Sequence, residues 1–452
     1  MNKKRPNVLW LMTDEQRTDS LGCYGSPWAI SPALDRIARE GVLFRNAVTP
    51  APVCAPARTS LAAGQYPHET GIWYNRTDTP DSPLPYLLQP FKDNGYRTAS
   101  FGKQHESLAA EQRLFDTTFD RLIGDRVSYF GFAEPFSEDE HGVVKYPPEP
   151  YSWILGGTYP GPAEGKAEAE VVRRAIAWLE DQPDDRPWLL RVSFNAPHTP
   201  VVPPQPFDKL MGDRDIPFPA DHESASTPAP AWISDTLASF AGASRLTEDQ
   251  ITRARRYYYG ETAFVDHQFG ILLDWLEKRG DLANTIVAFL SDHGTHIGDY
   301  GLVQKQTFYD PVVNVPLLFW QPGTIASGIQ LDTPVETLSL LPTLLELADI
   351  AIPATCSGVS LAETLRSGKE PAPRPIFSEF TLGSFDVRHD DRLVMVRDGD
   401  WKLSLCLDAE RGDGALYDLR HDPRELNNLY DSPGHAAIVS RLTGLIHSHL
   451  TG

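Results

Sequence analysis

The feature that most constrains the fold is the alternation of short apolar strand patterns with helical patterns along most of the chain. Runs rich in β-branched and aromatic residues, each of strand length, occur at residues 7–12, 42–47, 98–101, 188–194, 285–291 and 317–320. Segments with helical periodicity separate several of these runs. This alternation is typical of an α/β fold in which helices flank a large, mainly parallel sheet.

Helix boundaries can be predicted where capping residues flank apolar periodicity. One helix is predicted over residues 32–40, which a proline opens and a glycine follows. Thr247 and Gln250 form a capping box, which predicts the start of a longer helix that reaches toward Gly280. A proline also opens a third predicted helix, over residues 334–350.

Toward the C-terminus a proline-rich link leads into short strand patterns separated by tight turns. Two such patterns lie at residues 393–396 and 401–407, and a final apolar-periodic helix is predicted over residues 435–450. We therefore expect a large α/β domain over residues 1–370. A small C-terminal α+β subdomain over residues 371–452 should carry an antiparallel sheet and the terminal helix.

The charge balance restricts the classes of partner. The chain has 41 Lys and Arg against 61 Asp and Glu, a formal net charge of −20. Such a charge argues against nucleic acid or an anionic membrane as partner. An anionic substrate would need a local positive site, supplied by a bound cation and a few basic side chains, so a metal ion is expected.

The N-terminus and the cysteines indicate the compartment. A short basic segment leads directly into the first strand pattern, without a long hydrophobic region of the signal-peptide or membrane-spanning kind. We therefore predict a cytoplasmic protein. The cysteines, Cys23, Cys54, Cys356 and Cys406, are too few and too scattered for a disulfide framework or a zinc cluster. A single bridge between Cys356 and Cys406 stays open.

The segment from Cys54 to Arg58 reads Cys-Ala-Pro-Ala-Arg and continues with small residues to Gly64. Pro56 suits the first turn of a helix that runs to about residue 63, where Gly64 would end it. Cys54 then lies at the positive end of the helix, and Arg58 follows one turn along. A lone free cysteine usually behaves as a small buried hydrophobe, but the complete pattern favours a functional residue.

Pairs of potential metal ligands follow two of the predicted strands. Asp14 and Glu15 come after the first strand pattern, and Asp292 and His293 come after the strand pattern at residues 285–291. Ligands of open α/β sheets bind beyond the carboxyl ends of the strands. Each acid alone could be a helix cap or a solvated loop charge. Two adjacent carboxylates are better explained if a divalent cation offsets their repulsion.

Basic side chains follow three further segments. Lys103 and His105 come after the strand pattern at residues 98–101, and His198 lies in a proline-flanked loop after the pattern at residues 188–194. Lys305 follows Asp292 at a short distance in sequence. Taken singly, such residues are usually solvated charges or structural groups, so their order along the chain carries the functional interpretation.

Together these residues resemble the type I, formylglycine-dependent sulfatases of the alkaline phosphatase superfamily. The Cys-x-Pro-x-Arg segment is similar to the sequence that formylglycine-generating enzymes modify in that family, and the acidic pairs are similar to its metal site. The resemblance runs through nearly the whole chain and implies an alkaline-phosphatase-like fold. It implies two sets of site residues: metal ligands Asp14, Glu15, Asp292 and His293, and catalytic residues Cys54, Arg58, Lys103, His105, His198 and Lys305.

One predicted ligand departs from the family pattern. Glu15 replaces the commoner Asp, and the phosphonate monoester hydrolase branch has an amide at this position, so Glu15 is the least secure ligand of the four. Carboxylate oxygens favour Ca²⁺, while the nitrogen of His293 leaves Mn²⁺ or Mg²⁺ open. Calcium is the predicted ion.

The resemblance also implies hydrolysis of an aryl or carbohydrate sulfate ester to an alcohol and inorganic sulfate. Cys54, oxidised by a formylglycine-generating enzyme during maturation, would hydrate to a diol whose metal-bound hydroxyl attacks sulfur. Arg58 and Lys103 would neutralise the sulfate oxygens. The leaving alcohol would take a proton from His198 or Lys305, and the second hydroxyl would give one to His105.

Two other functions stay open. A phosphonate monoester hydrolase or phosphodiesterase of the same superfamily would use the same diol on phosphorus. A non-catalytic, metal-dependent binding protein would result if Cys54 were never converted. Two irregular segments rich in proline and aromatic residues, 106–165 and 200–243, match no pattern and are expected to wall the substrate pocket.

Overall fold

The computed structural model describes residues 5–75, 88–106, 115–119, 142–146, 153–181, 185–212, 214–222, 229–233, 241–381, 391–407 and 414–451. The segments predicted to wall the substrate pocket lie partly outside these residues. The strands within them are β1 (Asn7–Asp14), β2 (Val42–Val48), β3 (Arg97–Gly102), β4 (Thr117–Phe119), β5 (Val144–Tyr146), β6 (Trp153–Gly156), β7 (Trp188–Pro197), β8 (Thr285–Ser291), β9 (His296–Ile297), β10 (Val303–Gln304), β11 (Asn314–Trp320), β12 (Ile329–Leu331), β13 (Val335–Glu336), β14 (Ile376–Thr381), β15 (Arg392–Asp398), β16 (Trp401–Cys406) and β17 (Gly414–Asp418). The α-helices are Pro32–Glu40, Cys54–Ala63, Pro67–Thr70, Gln89–Asp93, Ala167–Glu180, Glu248–Arg279, Asp310–Val313, Leu340–Leu347, Ala362–Ser367 and Ala436–Thr451.

A large mixed sheet forms the centre of the molecule, in the order β12-β2-β11-β8-β1-β7-β3-β4, with β13 also paired to β2. Strand β1 pairs in parallel with both β7 and β8, and β3 pairs in parallel with β7 and β4. Strand β11 runs antiparallel to its neighbours β2 and β8. All six strands predicted from the sequence lie within observed strands of this sheet. The predicted α/β class with a mainly parallel sheet is confirmed.

The centre of the sheet is covered on both faces. Strand β1 is buried along its whole length, and its alternate side chains enter two apolar clusters. Val8 and Trp10 join the cluster on one face, whereas Leu9 and Leu11 join the cluster on the other. Because both faces are filled by apolar packing, the polar side chains of these strands collect at the strand ends, where a site can form.

Helix termini follow their capping residues. The helix Cys54–Ala63, here called the nucleophile helix, ends at Gly64, which has a φ of 65° and donates its N–H to the Ser60 carbonyl at 2.7 Å. The helix Glu248–Arg279, here called the long helix, begins with the predicted capping box between Thr247 and Gln250. The first predicted helix has the observed bounds Pro32–Glu40.

The third predicted helix, over residues 334–350, is wrong in its first half. Val335 and Glu336 form strand β13 beside β2, and the α-helix itself spans Leu340–Leu347. Glu336 is buried and accepts hydrogen bonds from Tyr66 and Arg374. Tertiary pairing with β2 therefore overrides the helix-start pattern.

The C-terminal region carries the predicted antiparallel sheet, in the order β14-β15-β16-β17. One face of this sheet joins an apolar cluster with Val48 and Val53 of the large sheet region. The other face packs against Leu442 and Ile446 of Ala436–Thr451, here called the terminal helix. Sheet and helix are thus confirmed, while the domain boundary at residue 370 stays a prediction.

All four cysteines are free thiols, so the bridge that the sequence left open between Cys356 and Cys406 does not form in the structure. Among the described residues, no helix combines the length and apolarity needed to cross a membrane. The cytoplasmic location stays a prediction.

Candidate active site

Neighbouring strand ends bring the predicted site residues together. Asp14 ends β1, and Asp292 follows β8, the parallel neighbour of β1, so that its N–H donates to the Thr13 carbonyl at 3.2 Å. His198 follows β7 on the other side of β1, and Lys103 follows β3, the next strand along. Four separate segments of the chain therefore meet at one edge of the sheet.

Cys54 lies at the start of the nucleophile helix and faces this edge. The residue is 1% exposed. Its Sγ atom lies 2.9 Å from Lys305 Nζ, 3.2 Å from His293 Nε2 and 3.9 Å from Lys103 Nζ. The Asp14 carboxylate lies 3.7 Å away. A helix N-terminus and three basic side chains thus surround one buried atom.

This surrounding stabilises negative charge at position 54. Burial, together with the Asp14 carboxylate, acts to raise the pKa of the Cys54 thiol. The cations Lys103, Lys305 and His293 outweigh both effects, and the pKa lies well below the usual 9.0. An oxygen nucleophile at the same point would meet the same stabilisation.

Arg58 organises the carboxylates beneath the nucleophile. Its guanidinium is fully buried, with Nε 2.6 Å from Asp292 and Nη2 3.1 Å from Asp14. Nη1 donates to Ser193 Oγ at 2.9 Å and to the Lys103 carbonyl at 3.1 Å. One planar cation therefore fixes groups from β1, β8, β7 and the loop after β3.

The donors required for a cation are present. Single ligand atoms of Asp14, Cys54, Asp292 and His293 all lie within 4.8 Å of one another. His293 Nε2 lies 4.0 Å from an oxygen of Asp14 and 3.8 Å from an oxygen of Asp292, which is too long for hydrogen bonds. His293 Nδ1 contacts the Gly294 carbonyl at 2.9 Å, so Nε2 faces the carboxylates. This donor set fits a divalent cation.

Glu15 occupies a neighbouring position. It has a φ of 62°, and its carboxylate lies 2.7 Å from Lys305 Nζ and 3.5 Å from His198 Nε2. Its ligand atom groups with those of Asp14 and His198, so it shares Asp14 with the proposed cation site but lies outside the group of Asp14, Cys54, Asp292 and His293. Its role as a metal ligand stays a prediction.

The two remaining histidines contact different members of this arrangement. His105 hydrogen-bonds to Cys54, and burial lowers the pKa of the imidazole. His198 Nδ1 lies 2.6 Å from the Thr199 carbonyl, so Nε2 is the nitrogen that faces Glu15. All ten predicted site residues are thus brought into one contiguous cluster, and their individual roles stay predictions.

Comparison with known proteins decides the family. Residues 6–350 match the model of the sulfatase family, and residues 298–450 match the model described as N-sulphoglucosamine sulphohydrolase, C-terminal. The chain belongs to the sulfatase family. It is accordingly a sulfuric ester hydrolase.

Individual relatives extend over almost the whole chain. An arylsulfatase of Clostridium perfringens is 27% identical over 99% of this chain and 95% of its own length. A choline-sulfatase of Rhizobium meliloti is 30% identical over 96% of this chain and 84% of its own length. The solved phosphonate monoester hydrolase of Agrobacterium radiobacter is similar in fold, with a TM-score of 0.82, 23% identity and coverage of 98% and 95% of the two chains.

Sequence reasoning missed residues of this sulfatase that hydrogen-bond to the site residues and fix their positions. Ser193 belongs to no recognisable motif, yet its hydroxyl accepts a hydrogen bond from Arg58. The Tyr258 hydroxyl, on the long helix, donates to the Glu15 carbonyl at 2.6 Å and accepts from the Arg17 N–H at 2.9 Å. A polar residue within an otherwise buried segment was the available signal in both cases.

An ionic network stabilises the loop that follows Glu15. Arg17 pairs with Asp19 at 2.8 Å and with Asp299 at 2.5 Å, and Asp299 also pairs with Arg255 of the long helix at 3.4 Å. Arg17 comes two residues after Glu15, and Asp299 lies between His293 and Lys305 in sequence. The network therefore ties the two loops that carry the predicted metal ligands.

Proposed function

We propose that this sulfatase hydrolyses an aryl or carbohydrate sulfate ester with a formylglycine made from Cys54 and a divalent cation, predicted to be Ca²⁺. The observation that carries the proposal is the convergence of Lys305, His293 and Lys103 on Cys54 Sγ at the N-terminus of a helix. The similarity to an arylsulfatase supports an aryl substrate. The match to the N-sulphoglucosamine sulphohydrolase model supports a carbohydrate substrate.

Formylglycine at position 54 and a bound cation both belong to the proposal, and the residues present fit both. Formylglycine at position 54 would supply, as its hydrate, a hydroxyl nucleophile toward sulfur in place of the Cys54 thiol. Asp14, Asp292 and His293, with Glu15 as the predicted fourth ligand, would hold a cation, which would supply Lewis-acid chemistry to this hydroxyl. The remaining steps fall to side chains of the chain itself.

Charge stabilisation is assigned to the two lysines. Lys103 Nζ and Lys305 Nζ lie 3.9 and 2.9 Å from Cys54 Sγ, beside which the sulfate oxygens of the substrate would lie. Each ammonium also pairs with a carboxylate, Lys103 with Asp14 at 2.6 Å and Lys305 with Glu15 at 2.7 Å. Arg58 uses its N–H groups on Asp292, Asp14 and Ser193. We therefore assign Arg58 chiefly to positioning the carboxylates, with its charge acting from one layer further away.

Proton transfer requires one acid and one base. Burial acts to lower the pKa of Lys305, but the charges of Cys54, Glu15 and Asp14 raise it well above the usual 10.5, so the ammonium keeps its proton. Lys305, or His198 beside it across Glu15, is placed to protonate the departing alcohol. Burial keeps His105 neutral, and as a neutral imidazole it can accept a proton from position 54.

The first experiment is the mass of the peptide that contains Cys54, from protein coexpressed with an active formylglycine-generating enzyme. The expected result is an aldehyde in place of the thiol. The same preparation is then assayed with aryl sulfates and sulfated monosaccharides, with Cys54→Ala as the inactive control. An unmodified thiol, despite proven activity of the generating enzyme, contradicts the proposed nucleophile.

Phosphonate monoester or phosphodiester hydrolysis is the second candidate. The 27% identity, over 96% of this chain, to a protein of Trinickia caryophylli described as a multifunctional alkaline phosphatase superfamily protein supports testing more than one reaction. A phosphonate monoester and a phosphate diester are therefore assayed in parallel with the sulfates. A kcat/KM for either phosphorus substrate above that for every sulfate would transfer the proposal to phosphorus.

A further inference from the structure

A second cluster of potential metal ligands lies outside the proposed active site. It consists of His68 on the short helix Pro67–Thr70, Glu379 on β14 and His449 on the terminal helix. Single ligand atoms of the three residues lie within 4.8 Å of one another. None of the three has a role in the proposed sulfatase chemistry, so the cluster needs its own explanation.

The Glu379 carboxylate is held so that one oxygen faces both imidazoles. The side chain is 0% exposed, and Oε2 accepts the His68 backbone N–H at 3.0 Å. Oε1 lies 2.8 Å from His68 Nδ1 and 2.5 Å from His449 Nε2. Two nitrogens and one carboxylate oxygen, from three segments far apart in sequence, thus point at the same small volume.

Aromatic neighbours restrict the two imidazole rings. Phe377 stacks on His449 with ring centroids 3.8 Å apart and an interplanar angle of 3°. Tyr66 contacts His449 edge-on at 4.5 Å and stacks on His68 at 5.9 Å. Because packing already fixes the rings, little further ordering is needed for them to act as ligands.

We propose that His68, Glu379 and His449 form a binding site for a divalent transition-metal ion of the Zn²⁺ type. Two imidazoles and a carboxylate suit Zn²⁺ and its neighbours in the first transition row better than Ca²⁺ or Mg²⁺. Tetrahedral Zn²⁺ ligands lie roughly 3.3 Å apart, so the hydrogen-bonded donors would separate by less than about 1 Å to admit the ion. The site joins the segment after the nucleophile helix to the terminal helix.

The site has a route to solvent. The His68 and His449 side chains are 17% and 8% exposed, while Glu379 is fully covered. An ion can therefore enter from the imidazole side, and water can complete its coordination. The proposal does not depend on the conversion of Cys54, since none of the three residues contacts position 54.

The test is a calorimetric titration of untagged, full-length protein with ZnCl₂, in excess CaCl₂ and with Cys54 unconverted. Four proteins are compared: wild type, His68→Gln, His449→Gln and the control His447→Gln. His447 lies on the same helix and is exposed, so its replacement leaves the cluster intact. Binding of Zn²⁺ elsewhere, including at the active site, is common to all four and cancels in the comparison.

Wild type and His447→Gln are expected to bind one more equivalent of Zn²⁺ than either ligand variant, or to bind it at least about tenfold more tightly, since loss of an outer-shell partner alone costs about 10- to 100-fold. Zn²⁺ should also raise the melting temperature of wild type by about 2 °C or more relative to the ligand variants. Equal stoichiometry, affinity and thermal shift in all four proteins would overturn the proposal and leave the cluster as a hydrogen-bonded contact. His68→Gln and His449→Gln lie on different elements, so misfolding of one leaves the other decisive.

Discussion

Replacing Arg58 with Lys keeps a positive charge but removes the planar group that bridges the two buried carboxylates. Arg58 Nε lies 2.6 Å from Asp292, Nη2 lies 3.1 Å from Asp14, and Nη1 lies 2.9 Å from Ser193. An ammonium offers all its N–H donors from a single nitrogen, so it cannot span both carboxylates as the guanidinium does. The change removes the hydrogen bond to one of the two carboxylates and the one to Ser193. Hydrogen bonds that involve a charged group contribute about 1.5–3 kcal/mol each, so the free energy of unfolding should fall by about 3–6 kcal/mol.

This change is measurable without knowing the substrate. An unfolding entropy of about 2.1 cal/mol/K per residue gives roughly 0.95 kcal/mol/K for 452 residues, so Arg58→Lys should lower the melting temperature by about 3–6 °C. The assay is differential scanning calorimetry of metal-depleted protein in a calcium chelator. Metal depletion matters because a bound cation would itself hold Asp14 and Asp292 together and so offset part of the lost bridging by the guanidinium.

The matched control is Arg36→Lys at the surface. Arg36 also contacts a carboxylate through two N–H groups, at 2.8 and 3.1 Å from Glu277, but the Glu277 side chain is 55% exposed. Exposed pairs contribute little, so this variant should melt within about 1 °C of wild type. If Arg58→Lys also melts within about 1 °C of wild type, the view of Arg58 as the organiser of a buried ionic network is refuted.

Three further predictions concern single residues. Cys54→Ala should abolish turnover and keep the fold, as judged by circular dichroism; near-normal activity would exclude Cys54 as the source of the nucleophile. His293→Ala should lower the metal content measured by elemental analysis, and an unchanged content would remove it from the ligand set. Against the effect of burial, Arg17 and Arg255 hold the pKa of Asp299 well below 3.8. The ionised Asp299 therefore stabilises the fold above about pH 4, and this stabilisation is lost on acidification. The melting temperature of wild type should fall from about pH 4 to about pH 2, and that of Asp299→Asn should change less. Equal changes of melting temperature with pH in the two proteins would contradict this assignment.

The parts of the fold that sequence predicted well are those determined locally. The helix Pro32–Glu40 and the start of the long helix at Thr247 follow from capping residues, whose hydrogen bonds are made within a few positions. Strand β8, buried on both faces, reads as a continuous apolar run. The helix predicted over residues 334–350 failed because its first residues pair with β2, a strand almost three hundred positions earlier in the chain.

The residues of the candidate site likewise divide into those that local sequence predicts and those that depend on tertiary structure. Asp14 and Asp292 could be placed at strand ends from sequence, but only the order β8-β1-β7-β3 brings those ends together with Lys103 and His198. Ser193 and Tyr258 act through contacts that depend on this order and on the packing of the long helix. Such residues carry no local pattern, because their partners lie far away in sequence.

The burial of Cys54 determines whether its modification can precede or follow folding. All ten residues of the nucleophile helix are buried, and position 54 is closed off by side chains from four other segments. An enzyme that oxidises this cysteine must bind it as an extended, accessible peptide, which the finished structure does not offer. In the proposed maturation, the modifying enzyme therefore has to act on the chain before it folds. Molecules that fold first would keep an unmodified Cys54 thiol and stay inactive. The yield of active protein would then depend on the rate of modification relative to the rate of folding. A variant that folds faster would lose activity without any change at the site.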